Sequence, residues 1–288
     1  MSDEVVGLYH RLKGAIQTAY DSTDASDILR DICRTSVTFL APLERRKMTS
    51  LVAGKEYFCF GRNGRRSRPI NQDLYVADCD LVAAFLDSLA TDGLGGLSAT
   101  EITRACYALA ISFCAVIDLT NPGDQKTPGT FFEYMIGHLV SRRLGVLPKK
   151  RLDVLNLDMQ TSLPTDLIFD LGANQPKFHV PVKTSTRERV VQVWAHQKVL
   201  DGVYGTGRFL GLLMCLAETK ADSRSLQVTE ICLPDQWRVY QLFIAQMRRV
   251  YYLDIPTKYA ELNEVFPRIR VKSLGEFFLE ADALGAEI

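Results

Sequence analysis

"PTDLIFDLGANQPKFHVPVK", residues 164–183, decides how the rest of the chain is read. Its flanks, "DLIFDL" (166–171) and "KFHVPVK" (177–183), are apolar, β-branched and aromatic runs, and "GANQP" (172–176) between them gathers chain breakers. Two such runs around such a cluster spell a β-hairpin. Folded near Asn174 and Gln175, the hairpin pairs position i with position 349 − i and sets Asp166 opposite Lys183. Facing residues of an antiparallel pair have Cβ atoms about 4.5–5.5 Å apart. A carboxylate and an ammonium then meet at the rim of a sheet, and a slip of one residue would separate them.

Phosphodiester hydrolysis needs a hard cation over the non-bridging oxygens, and Mg²⁺ asks for carboxylate oxygens plus water. It also needs a stabilised attacking hydroxide, which a lysine beside the metal supplies. Asp166 and Lys183 are the minimum for that chemistry, and equally a plain surface ion pair. Glu133 in "TPGTFFEYMIGHLV" flanks the apolar stripe of a helix and can lend a further acid. Thr130 and Glu133 also read as a T-x-x-E capping box at that helix's start. A second E-x-K, Glu218-Thr219-Lys220, lies far from Asp166 in sequence and precedes no base-reading cluster.

Downstream of Lys183 comes "TSTRERVVQVWAHQ" (184–197). Arg187 and Arg189 suit paired donation to guanine O6 and N7, and Glu188 suits acceptance from cytosine N4. The same triplet is an ordinary charged helix start, with Glu188 favoured by the dipole. In the helix that follows, Val190, Val193, Trp194 and Gln197 share one face, which turns Gln197 inward. An inward glutamine commonly satisfies backbone groups.

Further out, "RVVQVWAHQKVLDGV", "PDQWRVYQLFIAQMRRVYY" and "SLGEFFLEADAL" read as helices. "RFLGLLMCLAET", "LQVTEICL" and "RIRVKSL" read as strands. The alternation predicts an α/β fold, a central mixed β-sheet flanked by helices. Toward the N-terminus, residues 4–42 are helical in period, 54–76 hold a strand and an arginine loop, and 79–91 and 98–117 are helical again. Residues 121–129 form a loop before a helix over 130–144, which stops at Gly145. This predicts a mainly helical N-terminal region over 1–125, suited to clamping DNA or to dimerisation, and a catalytic core over 126–288. "GRNGRRSRP" (61–69) offers Arg62, Arg65, Arg66 and Arg68 to a phosphate backbone, or simply to solvent.

Composition sets outer limits. Thirty-four basic residues balance thirty-four acidic ones, so any polyanion surface must arise by local clustering. The seven cysteines form no C-x-x-C pair and mostly sit in apolar runs, which reads as reduced thiols of a cytoplasmic protein. No uninterrupted apolar stretch reaches membrane-spanning length, so no membrane partner is expected.

"PTD" (164–166), "VPVK" (180–183), "TRER" (186–189) and "VWAHQ" (193–197) together resemble the PD-(D/E)XK nucleases. The likeness runs over about 130–256 and is to the type II restriction endonucleases recognising CCGG or CCNGG, the EcoRII-like and NgoMIV-like group. The resemblance implies a restriction-endonuclease-like core, with Asp166 as principal Mg²⁺ ligand, Lys183 as catalytic lysine and Glu133 as helix-borne acid and second ligand. Arg187, Glu188 and Arg189 would read the C·G pairs. It further implies a homodimer cutting double-stranded DNA to leave 5′ overhangs, beside a cognate DNA methyltransferase. The group's displaced acid belongs thirteen or fourteen residues after the lysine, where this chain has His196 and Gln197. That departure leaves Gln197 acting through water, or the metal resting on Asp166 and Glu133. It also favours one rival, a non-catalytic DNA-binding or interaction module; the other rival, a repair or junction nuclease of the same fold, would share Asp166 and Lys183 yet show no dependence on G·C sequence.

Overall fold

Strand β10 (Phe209–Cys215) shows how the chain is layered. Leu212 and Met214 enter one apolar cluster, while Leu213 and Cys215 enter another. A strand buried on both faces reads as an unbroken apolar run because neither side meets water, and "FLGLLMC" is such a run. This is a computed structural model, and it describes residues 2–286 except 90, 92–93, 157–158, 174 and 223.

The chain begins with α1 (Ser2–Thr18) and α2 (Thr23–Leu40), two helices separated by a short break in the expected 4–42 segment. Short strands follow: β1 (Glu44–Lys47), β2 (Thr49–Ser50), β3 (Tyr57–Arg62), β4 (Arg65–Arg66) and β5 (Ile70–Asn71). Helices α3 (Cys79–Ser88), α4 (Ala99–Thr120) and α5 (Lys126–Leu144) lead to β6 (Lys149–Asn156), β7 (Met159–Asp170), β8 (Lys177–Val180) and β9 (Val182–Lys183). After α6 (Val190–Tyr204) and β10 come β11 (Thr219–Ala221), β12 (Gln227–Glu230), α7 (Pro234–Phe243) and β13 (Met247–Tyr252). The chain closes with α8 (Thr257–Ala260), α9 (Leu262–Val265), β14 (Val271–Ser273) and α10 (Leu274–Ala286).

Among the described residues the main sheet has seven strands in the order β14-β13-β10-β8-β7-β6, with β9 carrying the line of β8 onward beside β10. It is mixed: β10 runs parallel to β13, β8 and β9, and β7 runs antiparallel to β6 and β8. One face packs on α4, α5 and α10 through Phe113, Phe131, Phe277 and Phe278. The other packs on α6 and α7 through Trp194 and Trp237. The α/β architecture expected from the alternation is therefore present. The first cluster is continuous from Val5 to Leu284, joining the N-terminal helices to the sheet. A buried ionic knot adds a second tie: Lys55 Nζ donates to Glu230 and Asp254, each at 2.7 Å, and Tyr57 and Asn71 also donate to Asp254.

Helix α4 is long and apolar enough to cross a bilayer, yet most of it lies inside the protein. Its start carries a true capping box, Ser98 with Glu101.

Three local expectations are corrected. The helix expected over 234–252 ends at Phe243, and Met247–Tyr252 is strand β13. Val250 and Tyr252 pack toward α7 and Tyr251 toward α10, an alternation that a helix cannot make. The capping box at Thr130 and Glu133 is absent as such, because α5 begins at Lys126. Asp124 accepts the N–H groups of Lys126 and Thr127 there, and Pro128 fits a first turn that needs no donor. The hairpin register also differs. Leu167 pairs with Val180 and Phe169 with Phe178, so position i faces 347 − i where 349 − i was expected; Asn174, near which the turn was expected, lies outside the described residues. The shift of two keeps side chains on their faces, because the strand period is two.

Candidate active site

Asp166 does not sit on a regular strand. Between β6 and β7, Lys149 pairs with Ile168 and Arg151 with Pro164, so β7 carries extra residues at this point. A bulge of this kind re-aims the side chain within it. Pro181 interrupts the partner strand between β8 and β9, since it has no N–H to give a ladder. The two irregularities bring the expected pair together despite the altered register. Lys183 Nζ donates to Asp166 Oδ2 at 2.5 Å, and the Val182 N–H donates to the same oxygen at 3.0 Å. Both side chains stay partly open, 21% exposed for Lys183 and 26% for Asp166. No partner is found on Asp166 Oδ1 among the described residues. That leaves a hard oxygen at the rim of the sheet.

Two histidines stand around the pair. His179, opposite Ile168, is fully buried and burial pushes it down to about 4, so it is neutral. Its Nδ1 lies 2.9 Å from Gln197 Oε1. The Gln197 amide nitrogen already donates to Asp201 (3.0 Å) and to the Phe209 carbonyl (2.9 Å), so the histidine donates and Gln197 accepts. Gln197 is thereby engaged on every side in the interior and is not placed against Asp166. His196, one residue earlier, is the position that senses the pair. Burial lowers its pKa, while Asp166 pulls it up and Lys183 pushes it down. The helical period singles out the inward Gln197, whereas the half-buried flank of α6 carries His196.

Glu133 is joined to neither Asp166 nor Lys183 by a hydrogen bond or ion pair among the described residues. Its Oε1 accepts from Lys150 Nζ at 2.6 Å. Lys150 lies between the two β6 residues that bracket the bulge, so Glu133 reaches the sheet beside the stretch containing Asp166. Its Oε2 has no partner among the described residues.

Directly after β9 the backbone turns. Residues 187–189 form one turn of 3-10 helix and α6 begins at Val190. Arg187 and Arg189 are exposed, Arg187 has φ +25°, and its Nη2 donates to the Thr219 carbonyl at 2.8 Å. The side chain of Glu188 lies outside the described residues. The competing E-x-K is of a different kind: Glu218 is fully buried and fully hydrogen-bonded, while Lys220 is exposed on β11.

The arginine loop is largely tied down. Arg68 grips Asp118 with two bonds of 2.8 and 2.9 Å. Arg65 donates to the carbonyls of Leu119 and Thr120 at the end of α4, and Arg62 lies over the Phe39 ring at 4.7 Å. Arg66, half-buried, is likewise not without a partner. The solvated loop expected as one alternative is thus mostly a seam fastening β3 and β4 to α4.

A mixed sheet with helices on both faces is the fold this chain shares with a solved restriction endonuclease. Among solved structures, the type IIP restriction endonuclease Kpn2I is similar over 99% of this chain and 98% of its own, with TM-score 0.80 and 24% sequence identity. Restriction endonuclease PspGI, in complex with substrate DNA, overlaps 73% of this chain and 93% of its own with TM-score 0.45 and 14% identity, and adds nothing to the fold assignment. No family model matches the chain and no curated protein matches it.

Proposed function

We propose that the chain is a Mg²⁺-dependent type II restriction endonuclease. It cuts both strands of DNA at a G·C-rich palindrome with a CC…GG core, of CCGG or CCNGG type, leaving 5′ overhangs. The single observation that carries this reading is the Asp166–Lys183 contact of 2.5 Å, placed immediately before an exposed arginine turn. Cleavage and base reading would then share one continuous stretch of backbone.

The donor set fits a hard cation. Asp166 offers Oδ1, and Glu133 offers Oε2 once it reaches across from α5, so these two carboxylates would hold Mg²⁺. The bound ion would neutralise phosphate charge and lower the pKa of a water. Lys183 meanwhile holds a positive charge at the rim, where the attacking oxygen develops its own charge. Arg187 and Arg189 would donate to guanines, with Glu188 accepting from cytosine. A two-fold symmetric site calls for two copies of the chain, each reading one half. A cognate methyltransferase protects host DNA in this reading. Seven free thiols suit a reducing cytoplasm. Contacts to phosphates from Arg62 and Arg65 would require them to leave their present partners.

The test is digestion of a DNA of known sequence with Mg²⁺, followed by sequencing of the ends. Discrete fragments ending at one G·C-rich palindrome are expected, and none with Lys183→Ala. A smear, or cutting without regard to sequence, would instead indicate a repair or junction nuclease of the same fold. Sequence-selective binding without any cutting would indicate a DNA-binding module.

A further inference from the structure

Glu218 is 0% exposed, and its carboxylate is surrounded by donors from one short segment. Oε1 accepts the Thr186 N–H at 2.8 Å and the Thr186 hydroxyl at 2.6 Å. Oε2 accepts the Ser185 hydroxyl at 2.7 Å and lies 3.5 Å from the Arg187 N. Tyr252, from strand β13, donates to Oε1 at 2.8 Å and holds the carboxylate to the sheet. A carboxylate taken out of water is costly unless donors replace its hydration, and donation to an ionised oxygen makes stronger bonds than donation to a neutral one. A glutamate here is therefore more than filler. It gathers three consecutive residues of a turn onto one rigid point of the sheet.

The turn needs such a hold. Arg187 has φ +25°, a conformation that L side chains rarely adopt because Cβ crowds the carbonyl. Strained backbone persists where its surroundings over-determine it. The Thr219 carbonyl, next in the chain after Glu218, accepts from the Arg187 guanidinium at 2.8 Å. Main chain and side chain of Arg187 are thus both referred to residues 218–219. Lys183 lies four residues before Arg187, and β9 pairs with β10 at Cys215, three residues before Glu218.

We propose that Glu218 is a positioning residue for base recognition, bracing residues 185–187 so that Arg187 and Arg189 leave the sheet in a fixed direction. This rests on the nuclease reading given above. The second E-x-K is then no rival catalytic motif but the abutment on which the first site's reading turn is set.

Glu218→Gln is the decisive change. It keeps the volume and one carbonyl oxygen, but sets an amide NH2 group where the turn presents donors. In a Lys183→Ala background, Kd is measured for a duplex carrying the site mapped with the wild-type enzyme, and for that duplex with one core G·C pair exchanged. We expect the ratio of the two to fall by about tenfold or more, with affinity for the exchanged duplex unchanged and the circular dichroism of a folded protein. Tyr252→Phe removes a donor to the same carboxylate without touching the turn. It should lower the melting temperature and leave the ratio intact, as a merely structural role for Glu218 would not predict for the pair of variants. If Glu218→Gln does not fold, Ser185→Ala removes one tether from a half-buried position and should lower the ratio by a smaller factor. A folded Glu218→Gln or Ser185→Ala protein that discriminates as well as its parent overturns the brace while sparing the nuclease reading. A wild type that gives no discrete fragments, and so no mapped site, overturns the nuclease reading and the brace with it.

Discussion

Among the described residues Asp166 carries both of its hydrogen bonds on one oxygen, and substitution reads that asymmetry. Asp166→Asn should retain specific DNA binding while cleavage falls by roughly a hundredfold or more, because the proposed metal would lose a charged ligand and Lys183 its counter-ion. A gel-shift assay beside plasmid digestion separates the two effects. Glu133→Gln should act in the same direction but less, raising the Mg²⁺ needed for half-maximal cutting by roughly tenfold, since Glu133 also answers to Lys150. Gln197→Glu has a different expected outcome. A carboxylate there loses the donor to the Phe209 carbonyl and faces Asp201 across a former 3.0 Å bond. Urea unfolding should show a loss of about 1–3 kcal/mol, with the metal dependence of cutting unchanged. At this scale the Asp166–Lys183 pair was legible because an Asp, a breaker cluster and a Lys are spaced like a hairpin. The turn of Gln197 toward His179, Asp201 and Phe209 was not, because a helical stripe tells which face is inward but not which inward group a side chain finds.

The elements divide similarly. Helix α6 and the β7–β8 hairpin follow from the period and the breakers around them. Strand β13 does not. Trp237, Tyr240, Ile244 and Met247 keep a helical spacing beyond the real end of α7, and only the slot between β10 and β14 makes 247–252 extended. Tertiary placement overrides local preference in such a segment. The bulge in β7 was equally hidden, since the extra residues are defined by pairing with β6, whose basic, mixed sequence does not advertise a strand. Between α4 and α10, contact is close enough for a direct check. A Cβ on Gly275 would lie 1.9 Å from the Ala99 carbonyl oxygen. Gly275→Ala should therefore push the two helices apart and lower stability by about 2 kcal/mol or more, measurable by thermal unfolding.

For the whole molecule, acid is the informative perturbation. Burial pushes His138 and His179 from 6.5 down to about 4 in the folded state. Between those values the unfolded chain binds more protons, so stability is complete above pH 6.5 and is lost as pH falls toward 4. Each ring contributes on the order of 3 kcal/mol across that window. Urea midpoints measured from pH 7 to pH 4.5 should decline steadily, and a flat profile would show that the rings accept protons without disrupting the fold. Zero net charge was legible from composition, as was the need for any DNA surface to be local. The tethering of the arginine loop was not, because a carboxylate fifty residues away, Asp118, decides it.

The continuous apolar cluster from Val5 to Leu284 and the Lys55–Asp254 knot bear on how the chain tolerates being severed. A protease that nicks the exposed stretch at 121–123 should leave two fragments that co-elute on a sizing column and part only in denaturant. Expressed alone, a piece starting at residue 126 would present Phe131, Phe132 and Phe278 to water and should collect in inclusion bodies; supplied with the missing piece in trans, it should be rescued.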